Sequence, residues 1–360
     1  MRTAVRIAIA VGAALLVGAA ASGTAVARPA ASRPGSASGG LIRWHAVFRA
    51  PGSESLVLGV VADRHSDAWA LVQAPFHGAL GYAVHWNGRR WRVLAIPRRF
   101  EPDFIFASSP TNVWLDGIQD PQNMFQAYRW DGSDWKAVPQ PLGARTLIAK
   151  VIGPNDAWAT GPKSAFHWNG VVWTPVPYPV FRSRSFSLSA TRGTVWAAVT
   201  TAKVNSQAAG RILIFRWTGS TWRRLRVPRP RTRCCGTAVV VSRSDIWYMG
   251  PSSESRPGSG VRTYWHWNGK RLTRLPLAQF SGLIVPDGHG GLWASARAHW
   301  TGERWQLSSE IHGCLPIGGT GQAELVAVIP RSRTALAPFE CAHGTGLLDH
   351  AYIDASGPLP

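Results

Sequence analysis

Four histidines recur directly before a tryptophan, His85, His167, His266 and His299, and three aspartates recur two residues before another, Asp67, Asp156 and Asp245. Imidazoles and carboxylates in repeated register are what a metal centre or an acid–base pair would need. At the same repeat position, however, Arg129 and Arg216 replace the histidine, and a guanidinium ligates no metal. The histidines therefore read as structural, and the aspartates as turn caps that accept backbone N–H groups. Asp103, Asp116, Asp120, His77 and His343 fall in variable segments open to a hydrolase or lyase, but no pair has a spacing that demands such chemistry. No metal and no cofactor is implied.

Arginine offers a different chemistry. Lys plus Arg number 39 against 19 Asp plus Glu, a formal charge of +20, most of it arginine. The planar fork of arginine binds carboxylate, sulfate and phosphate. Arg98, Arg99, Arg182, Arg184, Arg229, Arg231 and Arg233 are the candidate binding residues. Two readings stand: a dedicated anion-binding arc, or solvated basic loops in an arginine-rich, lysine-poor chain. The four cysteines allow three pairings. Adjacent Cys234 and Cys235 suggest a vicinal disulfide, and Cys314 with Cys341 a loop-closing one; cross-pairing between the two regions is the alternative. Their spacing is not that of a zinc site.

The elements that must position these residues form a repeat. One motif reads Asp/Asn-x-Trp: Asp67 to Trp69, Asn112 to Trp114, Asp156 to Trp158 and Asp245 to Trp247, with degenerate copies ending at Trp196 and Trp293. The other reads His/Arg-Trp-Asn/Asp/Thr-Gly-x-x-Trp, as in His85 to Trp91, Arg129 to Trp135, His167 to Trp173, Arg216 to Trp222 and His299 to Trp305; the copy at His266 ends in Leu272. The motifs alternate with a mean period of about 45 residues, the length of a four-stranded propeller blade. Each unit predicts an apolar first strand, a turn, the Asp-x-Trp strand, a variable loop, the His-Trp strand, and a two-residue Asn-Gly or Asp-Gly hairpin into the last strand. This placement assigns 18 of the 19 tryptophans to second, third and fourth strands as blade-to-blade packing, leaving only Trp265.

Three strands near the C-terminus, residues 324–329, 333–337 and 347–353, lack a fourth, and Ile42 to Val47 has the pattern of a fourth strand without its first three. The expectation is an all-β, seven-bladed β-propeller of four-stranded blades, closed by the N-terminal strand joining the C-terminal blade. Before it, residues 1–27 read as a signal peptide, with Arg2 and Arg6 ahead of an apolar run and Ala25-Val26-Ala27 at the cleavage point. Residues 28–40 read as a Pro/Ser/Gly-rich leader, and 41–360 as one propeller domain with no transmembrane segment. The mature protein is expected to be secreted and monomeric.

The paired motifs resemble those of tectonin-like propellers, whose repeats join a Val-Trp-Gly-like strand to a Tyr/His-Arg-Trp-x-Gly-x-x-Trp-like hairpin. They are also similar to the kelch or galactose-oxidase-like propellers of exported actinobacterial proteins. The resemblance covers roughly residues 41–354 and implies a carbohydrate or cell-surface-glycan binder. The irregular blade lengths and the tryptophan-free seventh blade depart from it, and the sialidase Asp-box and the WD signature are absent.

Within the repeats, the turns between strands one and two and between three and four are uniform, whereas the connections on the opposite face vary. Binding is usually built on variable loops carried by a rigid scaffold. The long ones span 73–82, 116–126, 200–211 and 251–262. The expected function is a non-catalytic, exported propeller that recognises a carbohydrate or anionic wall polymer through this face. The alternatives are a secreted lyase or hydrolase with its site over the channel, or a protein-interaction ring. Nucleic acid matches the charge but fits export badly.

Overall fold

The computed structural model describes residues 41–51, 55–76, 79–120, 124–141, 147–161, 164–180, 185–191, 193–201, 211–230, 236–251, 262–276, 283–308, 314–316, 326–342 and 348–359. The first strand, β1 (His45–Arg49), belongs to the last blade. Blade one follows as β2 (Leu56–Arg64), β3 (Asp67–Phe76), β4 (Ala79–Trp86) and β5 (Trp91–Ala95), and blade two as β6 (Phe100–Ser109), β7 (Asn112–Gln119), β8 (Met124–Trp130) and β9 (Trp135–Val138). Blade three is β10 (Leu147–Gly153), β11 (Asp156–Thr160), β12 (Ser164–Trp168) and β13 (Trp173–Pro177); blade four is β14 (Ser185–Thr191), β15 (Thr194–Thr201), β16 (Arg211–Trp217) and β17 (Trp222–Leu225). Blade five is β18 (Thr237–Ser242), β19 (Asp245–Pro251), β20 (Arg262–Trp267) and β21 (Leu272–Arg274). Blade six is shorter, with β22 (Ile284–Pro286), β23 (Leu292–Ala294), β24 (Ala298–Trp300) and β25 (Trp305–Leu307).

Blade seven closes the ring as expected. Its strands β26 (Cys314–Pro316) and β27 (Ala327–Val328) both pair with β28 (Ala335–Ala342), which pairs with β29 (Leu348–Ala355), and β29 pairs with β1. The expected first strand over 324–329 is present among the described residues as β27 alone, and β26, which lies before that range, pairs with the same strand β28. The fourth strand begins at His45 rather than Ile42. Residues 41–44 reach towards blade six instead: Ile42 N–H donates to Leu307 O at 2.8 Å, and Trp44 Nε1 donates to Ser308 Oγ at 2.9 Å.

Burial grades from the ring centre outward, which is why the strands differ in pattern. Second strands such as β7 and β15 are buried on both faces, while fourth strands such as β5 and β17 keep mostly exposed positions. The second-strand tryptophans fill the seams between twisted blades. Trp114 packs edge-on against Trp168 and Trp173 of the next blade, centroids 5.9 and 6.1 Å away, and Trp158 meets Trp217 and Trp222 at 5.4 and 5.6 Å. Trp265, which the repeat left unassigned, joins Trp196 and Trp267 in the seam between blades four and five.

The hairpin between third and fourth strands differs from the expected two-residue form. Trp86 pairs with Trp91, so four residues turn the chain, and only Gly88 takes a positive φ, 85°. The Asn87 side chain accepts the N–H groups of Arg89 and Arg90, both at 3.1 Å. Asn169 and Asn268 repeat this arrangement. The polar residue of the motif therefore serves as an acceptor for two turn amides.

Candidate functional site

Two faces result from this topology. One carries the uniform turns between strands one and two and between strands three and four; the other carries the connections between strands two and three and the crossings between blades. On the second face, the loops expected over 73–82 and 116–126 are mostly strand, since β3 runs to Phe76 and β7 to Gln119. The interiors of the other two long loops, 202–210 and 252–261, lie outside the described residues.

Arg98 and Arg99 occupy the crossing from blade one to blade two. Gln119 Nε2 donates to the carbonyls of both at 3.2 Å, and Asp120 N–H donates to Arg99 O at 2.9 Å. The crossing is thus tied by its backbone to the β7–β8 hairpin, with Arg99 at φ 56° and exposed. Arg229 lies at the crossing from blade four to blade five, half-buried beside Tyr248, whose hydroxyl donates to Pro228 O at 3.0 Å. Burial pushes the Tyr248 phenol well above its usual range, and the Arg229 charge opposes that only in part. Among the described residues no carboxylate pairs with Arg98, Arg99 or Arg229. The structure brings Arg98 and Arg99 together and sets Arg229 three seams away. Arg182, Arg184, Arg231 and Arg233 lie outside the described residues, as do Cys234, Cys235, His77 and His343. Cys314 and Cys341 are register partners on β26 and β28.

The acids that sequence placed in variable segments converge on blade two. Asp103 sits at a bulge in innermost β6, and Asp116 is fully buried on β7. Surrounded by the ring although water reaches it, Asp103 is pushed up to about 6, by desolvation first and the charge of Glu101 second. Burial pushes Asp116 up to about 7, against the Ile148 N–H that donates to its Oδ2 at 2.8 Å. That bond joins blade two to blade three, so Asp116 ties two inner strands together. Asp120 stands apart at the end of β7.

On the turn face the repeated aspartates and histidines form side-chain triads, which corrects the expectation of backbone caps. His85 Nε2 meets Asp67 Oδ1 at 2.5 Å, Trp69 Nε1 donates to Asp67 Oδ2 at 3.2 Å, and the His85 ring stacks on Trp69. Asp156 holds His167 at 3.1 Å and Trp158 at 3.2 Å, and Asp245 holds His266 at 2.9 Å. Blade six completes the same set from an unexpected position: Asp287 Oδ2 meets His299 Nε2 at 2.8 Å, while its Oδ1 accepts the N–H groups of His289 and Gly291. Burial works to raise Asp67 and is the largest single influence, but the hydrogen bonds from His85, Asp63 and Trp69 and the charge of His85 together outweigh it and hold the carboxyl below its usual range. Its neighbour Asp63 moves the other way, raised to about 8 by burial first and then by Asp67. These triads are the packed ends of the seams, and among the described residues no group of three His, Cys, Asp or Glu could hold a metal ion.

No protein-family model and no curated protein matches the chain. Solved structures do. The chain is similar to the β-propeller domain of the Trilobed protease from Pyrococcus furiosus, with TM-score 0.55 and 11% identity over 85% of this chain and 98% of that one. It also matches YCF48 bound to D1 peptide, at TM-score 0.49 and 12% identity over 87% and 94% of the two chains. A fucose-specific lectin from Aleuria aurantia matches at TM-score 0.36 and 13% identity over 62% and 77%. At these identities the likeness is one of fold.

Proposed function

We propose that this protein is an exported binding propeller of the tectonin-like or kelch-like kind, which recognises an anionic polysaccharide through its loop face. The observation that carries the reading is the state of Arg98, Arg99 and Arg229. Their backbone segments belong to the rigid ring, their charges face no described carboxylate, and the face they stand on is the one on which the blades differ. The overall charge of +20 favours the same class of partner. Residues 1–27 as an export signal and 28–40 as a leader place that partner outside the cell.

The catalytic alternative rests on Asp103 and Asp116. Asp116 is enclosed and occupied by Ile148, and Glu101, the acid beside Asp103, accepts from Gln73 Nε2 at 3.3 Å, so neither stands free as a partner for Asp103. The binding reading is therefore preferred. Its test is retention of the mature protein on an immobilised polyuronate and on a neutral dextran. Replacing Arg98, Arg99 and Arg229 together by Ser should weaken polyuronate binding by at least about tenfold, with steep salt dependence in the parent protein. Unchanged retention of the triple variant would overturn the reading, and release of unsaturated or shortened sugar would favour the enzyme.

A further inference from the structure

The ring is sealed unevenly. Between blades two and three and between three and four, a second-strand tryptophan meets a pair of tryptophans at the start of the next blade's last hairpin. Trp247 meets Trp300 and Trp305 in the same way between blades five and six. Between blades six and seven, Trp293 meets one tryptophan among the described residues, Trp44 at 5.4 Å, which in turn packs on Phe339. The place of the second ring is taken by Ser356, whose N–H donates to Ala335 O at 3.0 Å at the position where Trp86 pairs with Ala68 in blade one. The hairpin that would cover this pair is also missing, because ring closure puts the two ends of the propeller there: Ser356 leaves β29 where residues 41–44 lead into β1.

A cleft of about 580 Å³ opens at this point on the turn face, a volume usual for small-molecule sites. Arg43 and Arg333 flank it, both exposed and neither in an ion pair with a described residue. The carboxylate of Asp287 is already committed to His299 and to two backbone N–H groups. His289 Nε2 donates to Ser332 O at 3.1 Å across the seam, so its Nδ1 is left as an acceptor. Gln306, the cross-strand partner of His299, adds an amide with both donor and acceptor. Two unpaired guanidiniums beside an acceptor and an amide match a carboxylate that carries neighbouring hydroxyl groups.

We propose that the cleft between blades six and seven binds a small hydroxy-carboxylate the size of a single sugar acid. The site lies on the face opposite Arg98, Arg99 and Arg229, so it is independent of the polymer reading. Calorimetric titration of the mature protein with glucuronate, and with glucose as the neutral comparison, tests it. Glucuronate should bind saturably and glucose should not. Arg43→Gln and Arg333→Gln should each weaken glucuronate binding by at least about tenfold. Ser356→Trp, which fills the cleft with a ring, should abolish it, while the Arg98/Arg99/Arg229 serine variant should bind as the parent does. If Ser356→Trp fails to fold, the two glutamine variants still decide, since both arginines are exposed. Absence of saturable glucuronate binding, equal binding of glucose, or binding that survives both glutamine variants overturns the proposal.

Discussion

Replacing Asp354 by Asn is expected to stabilise the protein by an amount that grows with pH up to neutrality and then levels off. Asp354 is 2% exposed on β29, and its Oδ1 has no hydrogen-bond partner. Its register partner is Ala337, which packs in the seam towards blade six, so an acid stands in blade seven where blade one has Val84 opposite Ala70. Burial pushes this carboxyl from 3.8 up to about 7. Between those values the unfolded chain has released the proton and the folded protein retains it, so stability falls as pH rises. Roughly three pH units at about 1.4 kcal/mol each give a ceiling of about 4 kcal/mol, and relaxation around the charge brings the expected gain nearer 2 kcal/mol. Asn carries no charge at any pH. The variant should therefore match the parent near pH ~4 and exceed it by about 2–4 kcal/mol near pH ~8, with half of the gain reached in between. Urea unfolding followed by tryptophan fluorescence at several pH values across this window measures the difference. A gap that is constant with pH, or widest in acid, would refute the assignment of an unpaired buried carboxyl.

Two further outcomes test the packing and the closure. Gly117→Ala places a Cβ 2.1 Å from the backbone oxygen of Glu101 and 2.8 Å from Pro102 Cα, so β6 and β7 must part, at a cost of at least about 3 kcal/mol in a thermal melt. Gly153→Ala meets nothing within 4 Å and should leave the melt within about 0.5 kcal/mol of the parent; equal effects would remove the steric argument. Cys314 and Cys341, register partners in blade seven, should form a disulfide under oxidising conditions and then resist alkylation until reduced. Alkylation of both without reductant rules the pairing out.

The architecture was legible because the tryptophans mark strand positions at a constant spacing, and the two orphan half-units at the ends could only be one blade. The triads were legible too, though only by comparing blades. Where the third strand carries His85, His167 or His266, the turn carries Asp; where it carries Arg129 or Arg216, the turn carries Asn112 or Thr194. That pairing of types is the signature of contact, and Trp114 Nε1 donating to Asn112 at 3.1 Å is its neutral version. Blade six escaped because Asp287 lies outside the motif frame. The turn through Gly288 and Gly290, at φ 77° and 87°, folds it back to the same spot. The cleft was illegible for a different reason: it arises from what Ser356 and the two ends of the ring fail to fill, and a repeat search reports matches rather than vacancies. The extension of β3 and β7 into expected loops reflects pairing across the hairpin, Gln73 with Gly81 and Gln119 with Met124, which local composition does not signal.

The pairing of β1 with β29 sets an order on folding. Among the described strands the first in chain order is the partner of the last, and they are separated by almost the whole domain. Blades one to six are each built from neighbouring strands and can form as they emerge, one stacking on the next. Blade seven must wait for both ends, and the loop it closes is the longest the chain can make, with the largest entropic cost. Until then β1 has no edge to join, and the inner strand of blade one has no neighbour on one side. A chain cut short near its C-terminus would therefore lose the latch rather than one blade, and the nascent protein would be an open horseshoe, sensitive to chaperones and proteases, until its final strand arrives.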